Sequence, residues 1–225
     1  MVGPTMTSAY ATIETQTGLH VPELFRRMVA EGRTSYGATR EEWKQTWKQR
    51  TLSDPPALML VSAQVEWWTP EAIAAWQLPD HWSTEHRLVP FAQTGAGDVW
   101  CWEASSPGAE IVFAPHDEST AEVVAPDLEG FLLRHLGLGL SEIYTDDGTD
   151  FTNEQRVASA QANVRVLAPY LSAERVTLLE RLCARPLVLD ERWGCMRFLA
   201  KAEAQAIIQR ELASPRLGET FVHMP

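Results

Sequence analysis

Residues 87–125 constrain the fold most. RLVPFAQ, VWCWEA, EIVFA and AEVVA are short β-branched or aromatic runs, and TGAGD, SSPGA and PHDEST punctuate them with turn residues. Such runs, returning every ten to twelve residues, predict an antiparallel meander. Helical patterns flank it on both sides. Residues 21–31 (VPELFRRMVAE) put Leu24, Phe25, Met28 and Val29 on one face behind Pro22. Thr39 with Glu42 predicts a capping box for TREEWKQTWKQR, where Trp43 and Trp47 share a face. Thr69-Pro70-Glu71 predicts a short helix start, with residues 57–66 (ALMLVSAQVE) as a strand before it.

After the meander, PDLEGFLLRHLG reads as a helix ending at Gly137. Thr152 and Gln155 open a helix carrying Val157, Ala160, Val164, Leu167 and Leu171, which Pro169 ends or kinks. Ser172 starts another. Residues 185–200 read as short extended pieces around a turn, and KAEAQAIIQRELA is a last helix stopped by Pro215. The fold class expected is α+β. Residues 1–19 read as a loose lead-in, 20–137 as an α+β domain and 138–225 as a mainly helical extension packed on it.

Charge separates function classes. The chain has 19 basic and 30 acidic residues, a net charge of −11. Residues 50–144 alone hold 3 basic and 14 acidic side chains, a balance equal to the whole excess. Nucleic acids and anionic membranes are therefore poor partners, since phosphate affinity rests on clustered Lys and Arg. Either the block is a solubilising surface or it is an electrostatic face for a basic ligand, and its confinement favours the face. Eight of the nine tryptophans precede residue 103. Of the adjacent pair Trp67–Trp68, one is expected in the core and the other exposed or covered by another element.

Catalytic and metal signatures are missing from the sequence. Gly95-Ala96-Gly97 is followed by Trp100 where a dinucleotide fingerprint needs glycine. There is no phosphate-binding loop, nucleophile elbow or HExxH. His81 and His86 read as loop residues, His116-Asp117-Glu118 as a hydrogen-bonding turn, and His135 as a core histidine. DDGTD (146–150) lacks calcium-loop spacing and reads as a linker. Cys101, Cys183 and Cys195 form no CxxC pair, so neither a disulfide framework nor structural zinc is expected. The first residues have neither the basic nor the apolar region of a signal peptide, and a soluble cytoplasmic protein is the expectation. No catalytic residue, cofactor or metal is assigned.

Three stretches resemble the SUKH superfamily (Smi/Knr-type domains). VPELFRRMVAEG (21–32) is similar to its opening helix, with Val21-Pro22, Phe25 and Gly32 in place and the usual Asn absent. LVPFAQTGAGDVWCWE (88–103) resembles its central hairpin through Gly95, Gly97 and Asp98. Residues 110–136 resemble its closing strands, His-bearing turn and helix. In that turn glycine supplies positive φ, and Asp98 is expected to accept hydrogen bonds from turn amides. The resemblance covers roughly residues 20–137.

It implies a curved antiparallel sheet backed by helices, and a binding role. Bacterial members are mostly immunity proteins that block a cognate toxin by direct contact; eukaryotic relatives look like regulatory or scaffold modules. The expected partner is thus a basic toxin domain, such as a nuclease, encoded by a neighbouring gene. The expected contact residues are Glu66, Trp67, Trp68, Glu71, Asp98, Trp100, Glu103, Asp117, Glu118 and Glu122. The alternatives are a regulatory module without a toxin partner and a small-ligand binder on the Trp-lined sheet.

Overall fold

The structure is a computed structural model. It describes residues 4–59, 65–79, 82–144 and 150–224, with side chains from residue 8 onward. The sequence readings at His81 and at residues 146–149 of DDGTD lie outside the described residues. In chain order the elements are α1 (Pro4–Thr17), α2 (Glu23–Ala30), α3 (Arg40–Ser53), β1 (Glu66–Trp67), α4 (Pro70–Ala75), β2 (Leu88–Gln93), β3 (Val99–Glu103), β4 (Ile111–Ala114) and β5 (Thr120–Ala125). They continue with α5 (Leu128–Gly139), β6 (Ile143–Tyr144), α6 (Asn153–Leu167), a 3-10 turn (Ala168–Tyr170), α7 (Ala173–Cys183), β7 (Val188–Asp190), β8 (Cys195–Arg197), α8 (Lys201–Leu212) and β9 (Thr220–Val222). The fold is α+β. Among the described residues no helix is long and apolar enough to cross a membrane.

The chain forms two compact units, each discontinuous in sequence. The first comprises 1–34, 65–131 and 212–225; the second comprises 35–64 and 132–211. This differs from the sequence division at 19 and 137. Helix α5 starts in the first unit and continues in the second.

The first unit is built on a six-stranded antiparallel sheet in the order β1-β2-β3-β4-β5-β9. Its central strands are apolar almost throughout because both faces are covered. On one face Phe91 stacks on Trp102 at 4.5 Å between ring centroids, and Phe25 from α2 meets Trp102 edge-on at 5.0 Å. Phe131 at the start of α5 packs edge-on against Phe91 and Trp67. Leu88, Cys101, Val112, Ala114, Ala121 and Val123 form the cluster on the other face, against which Trp82, Val99 and Phe221 pack. Pro90 has no N–H to give a ladder, and the β2–β3 register shifts between Pro90 and Ala92.

The second unit joins α3, α6, α7, α8 and the rest of α5 to a three-stranded sheet, β6-β8-β7. Thr152 and Gln155 make the reciprocal capping box expected for α6. The start of α3 departs slightly: Thr39 caps Glu42, but the Glu42 carboxylate accepts from Ala38 N–H. Trp43 and Trp47 share a face and meet Tyr36 and Phe151 respectively.

Three sequence expectations are corrected. Residues 4–17 of the lead-in are helical, with Ala9, Tyr10 and Ile13 buried. Of the strand expected over 57–66, Glu66 is in β1 while Ala57–Leu58 form a turn; residues 60–64 lie outside the described residues. Gly137 lies within α5, which runs on to Gly139. Strands β6 and β9, two and three residues long, had no legible pattern.

Candidate functional site

The negative charge belongs to one unit. The first has five basic residues (Arg26, Arg27, Arg33, Arg87, Arg216) against 16 acidic ones, the whole −11. The second has 14 of each and is neutral. The first unit is therefore the cation-attracting part of the chain.

Within its sheet the acids gather at both strand ends, in different chemical states. The β2–β3 and β4–β5 turns share one end. In the first turn Thr94 accepts from the N–H groups of Ala96 and Asp98 and donates its hydroxyl to Asp98 Oδ2 at 3.0 Å. Gly97, at φ +98°, supplies the left-handed residue that turn needs. Asp98 thus reaches outward instead of tying its own turn's amides, as the sequence suggested. Its Oδ1 accepts from His116 N–H at 3.2 Å and meets His116 Nδ1 at 2.8 Å, stapling the two turns together.

Burial alone would raise the Asp98 carboxyl pKa. The His116 and Thr94 hydrogen bonds outweigh it and hold the value below the ordinary range. The same bond to Asp98, with help from Asp117, raises His116 above its ordinary value. Asp117 and Glu118 follow, both exposed.

Glu66 lies opposite Gln93 at this end, accepts from Gln93 Nε2 at 2.8 Å, and has its carboxylate beside Gly95. Half-buried Trp68 donates its indole N–H to the same Gln93, at 3.1 Å. Glu122, half-buried on β5, lies across from Phe113.

Five of the sequence-expected acids (Glu66, Asp98, Asp117, Glu118 and Glu122) thus lie at or near the turn end of one sheet, with Trp68 beside Glu66. Glu71 lies apart on α4, where its charge acts on Tyr10 together with Arg26 and Glu23. Trp67 and Trp100 are each only 6% exposed and belong to the aromatic core, so neither is a surface anchor.

Glu103 is corrected too. It is 3% exposed and lies at the opposite end of the sheet. There it binds His86 Nδ1 at 2.8 Å, the Ser105 hydroxyl at 3.2 Å and Arg216 at 2.9 Å. Arg216 also binds Glu110 and Glu219. Burial pushes the Glu103 carboxyl up, but His86 and Arg216 pull it below its ordinary value. At this end Arg216 holds Glu103 and Glu110, whereas at the turn end Asp117 and Glu118 are open to solvent. Nothing local in sequence announces the Arg216 cluster, whose members come from three distant segments.

Asp98, His116 and Asp117 have donor atoms within 4.8 Å of one another, a spacing a divalent cation could use. Both oxygens of Asp98 are already engaged in stapling the turns, which accounts for the cluster without a cation. The cysteines are free and buried. No family model, curated protein or solved structure matches this chain.

Proposed function

We propose that this chain is an immunity protein that neutralises a cognate bacterial toxin by direct contact through the turn end of the six-stranded sheet. The observation that carries the reading is the segregation of charge: one unit holds the entire −11, and at one end of its sheet Asp117 and Glu118 are open to solvent, while at the other Arg216 engages Glu103, Glu110 and Glu219. The SUKH-like stretches support it, since their glycine turn and His-bearing turn are the two that form this end.

The partner is a basic domain of the nuclease type, whose own substrate is polyanionic. An acidic surface mimics that substrate's charge and speeds encounter by electrostatic steering. Glu66, Asp117, Glu118 and Glu122 supply charge, Trp68 supplies the partly exposed aromatic contact, and Asp98 holds the two turns in register. Binding is stoichiometric, in the cytoplasm, and needs no cofactor.

The test is co-expression with the product of the neighbouring gene, scoring growth and co-purification together. The expected result is a product that kills alone, is tolerated with this chain, and co-purifies with it in a salt-sensitive complex. A neighbour that is harmless, or that kills regardless of this chain, overturns the reading and leaves a regulatory or scaffold module as the better one.

A further inference from the structure

We propose that a pocket between α6 and α7 binds a small, free α-amino acid with an apolar side chain. The pocket lies wholly within the second unit and serves a different ligand from the toxin contact.

The two helices line it with the same pattern. Gln161, Val164 and Arg165 on α6 are spaced i, i+3, i+4, and so are Glu180, Cys183 and Ala184 at the end of α7. Each set therefore shares one face. Where the faces meet, valine, cysteine and alanine are too short to fill the groove between the helices, and a pocket of about 250 Å3 is left. Val164 and Cys183 are buried and form an apolar floor. Pockets for drug-sized ligands run from about 300 to 1,000 Å3, so this one suits a smaller metabolite.

Charge selects the occupant. Exposed Arg165 and Glu180 stand on facing helices without pairing. Among the described residues neither charged group has an ion-pair or hydrogen-bond partner, nor does the Gln161 carboxamide. Elsewhere in this unit Arg185, Arg197, Lys201 and Arg210 are each paired with a carboxylate. A lone anion in the pocket would meet Glu180, and a lone cation would meet Arg165. A zwitterion satisfies both, with its carboxylate on the Arg165 guanidinium and its ammonium on Glu180. An α-amino acid carries the two charges on one carbon and leaves its side chain for the floor. Gln161, with both a donor and an acceptor, serves either end.

Cys183 is a wall of this pocket and not a nucleophile. Burial pushes its thiol up to about 12, so it stays protonated and behaves as a small apolar group. The ligand is held without a covalent bond.

The probe is L-valine, titrated into the isotope-labelled full chain and followed by NMR. Saturable shifts are expected in the backbone amides of 161–165 and 180–184. Isovalerate lacks the ammonium and isobutylamine lacks the carboxylate. Each should bind about tenfold more weakly or worse, because each forfeits a charge-assisted hydrogen bond. Arg165→Gln and Glu180→Gln should each weaken L-valine to a similar degree. Arg165→Glu should abolish binding, and adding Glu180→Arg should recover it, since the ligand then turns end for end. Ala184→Phe should fill the pocket and remove the shifts with an unchanged circular dichroism spectrum, because Ala184 is exposed.

An L-valine titration without saturable shifts overturns the proposal. So does isovalerate or isobutylamine that binds as tightly as L-valine, or an Ala184→Phe chain that binds L-valine undiminished.

Discussion

Thr94 and Asp98 divide between them the work of one turn. Thr94 binds the turn's own amides, and that frees the Asp98 carboxylate for His116 in the next turn. The consequence is measurable. The Asp98 bond raises His116 above 6.5, so its contribution to stability is complete below pH 6.5 and is lost as pH rises through the raised value. Asp98 is held below 3.8, so its contribution stands above pH 3.8 and is lost as pH falls through the lowered value. The staple is thus intact from mildly acidic to near-neutral pH. An NMR titration should place the His116 pKa above 6.5, and Asp98→Asn should return it towards that value. A His116 that titrates alike in both proteins removes the staple. The glycine turn was legible in sequence because positive φ and turn chemistry are local. The choice of His116 as partner, 18 residues on, was not, because it depends on which turns share a sheet end.

Most elements were legible where local signals were strong: the caps at Thr39, Thr69 and Thr152, and the turns between β2 and β5. Helix α1 was not, because its Thr- and Ser-rich sequence has weak helix propensity and its order rests on burying Ala9, Tyr10 and Ile13. Strand β9 was not, because three residues carry no period. Its place on the sheet edge is secured instead by the preceding Arg216 on Glu103, Glu110 and Glu219, and by Phe221 stacking on His86 at 3.7 Å. Arg216→Met would leave a buried Glu103 with only His86 and Ser105 among these partners. A broken buried pair costs about 3–5 kcal/mol; because Arg216 is partly exposed and those partners remain, the expected loss is about 2 kcal/mol. Urea unfolding should show it as a lower midpoint at unchanged slope, with faster amide exchange in β9. Adding Glu103→Gln should recover part of the loss, since the stranded charge goes with it. If the single variant unfolds like the native chain, the cluster does not hold β9.

At the scale of the molecule, the division into two units was not legible, because each is assembled from separated segments and contiguity misleads. The charge segregation was legible for a reason the structure supplies. The sequence block 50–144 differs from the first unit by residues that cancel: Arg50, Arg134, Asp54 and Glu142 fall in the second unit, while the first unit's remaining charges are four basic and four acidic. Block and unit therefore carry the same −11. This makes position testable apart from net charge. Asp117 and Glu118 are exposed in the β4–β5 turn, so Asp117→Lys/Glu118→Lys changes the surface at little cost to the fold. Glu174→Lys/Glu180→Lys, equally exposed on α7, makes the same change in net charge within the neutral unit. Against the proposed toxin partner, the turn-end pair should slow association by about tenfold or more at low salt and flatten the dependence of affinity on salt. The α7 pair should leave both nearly unchanged. Equal losses from the two pairs would mean that the partner senses only overall charge, and the contact would then have to be sought away from the turn end.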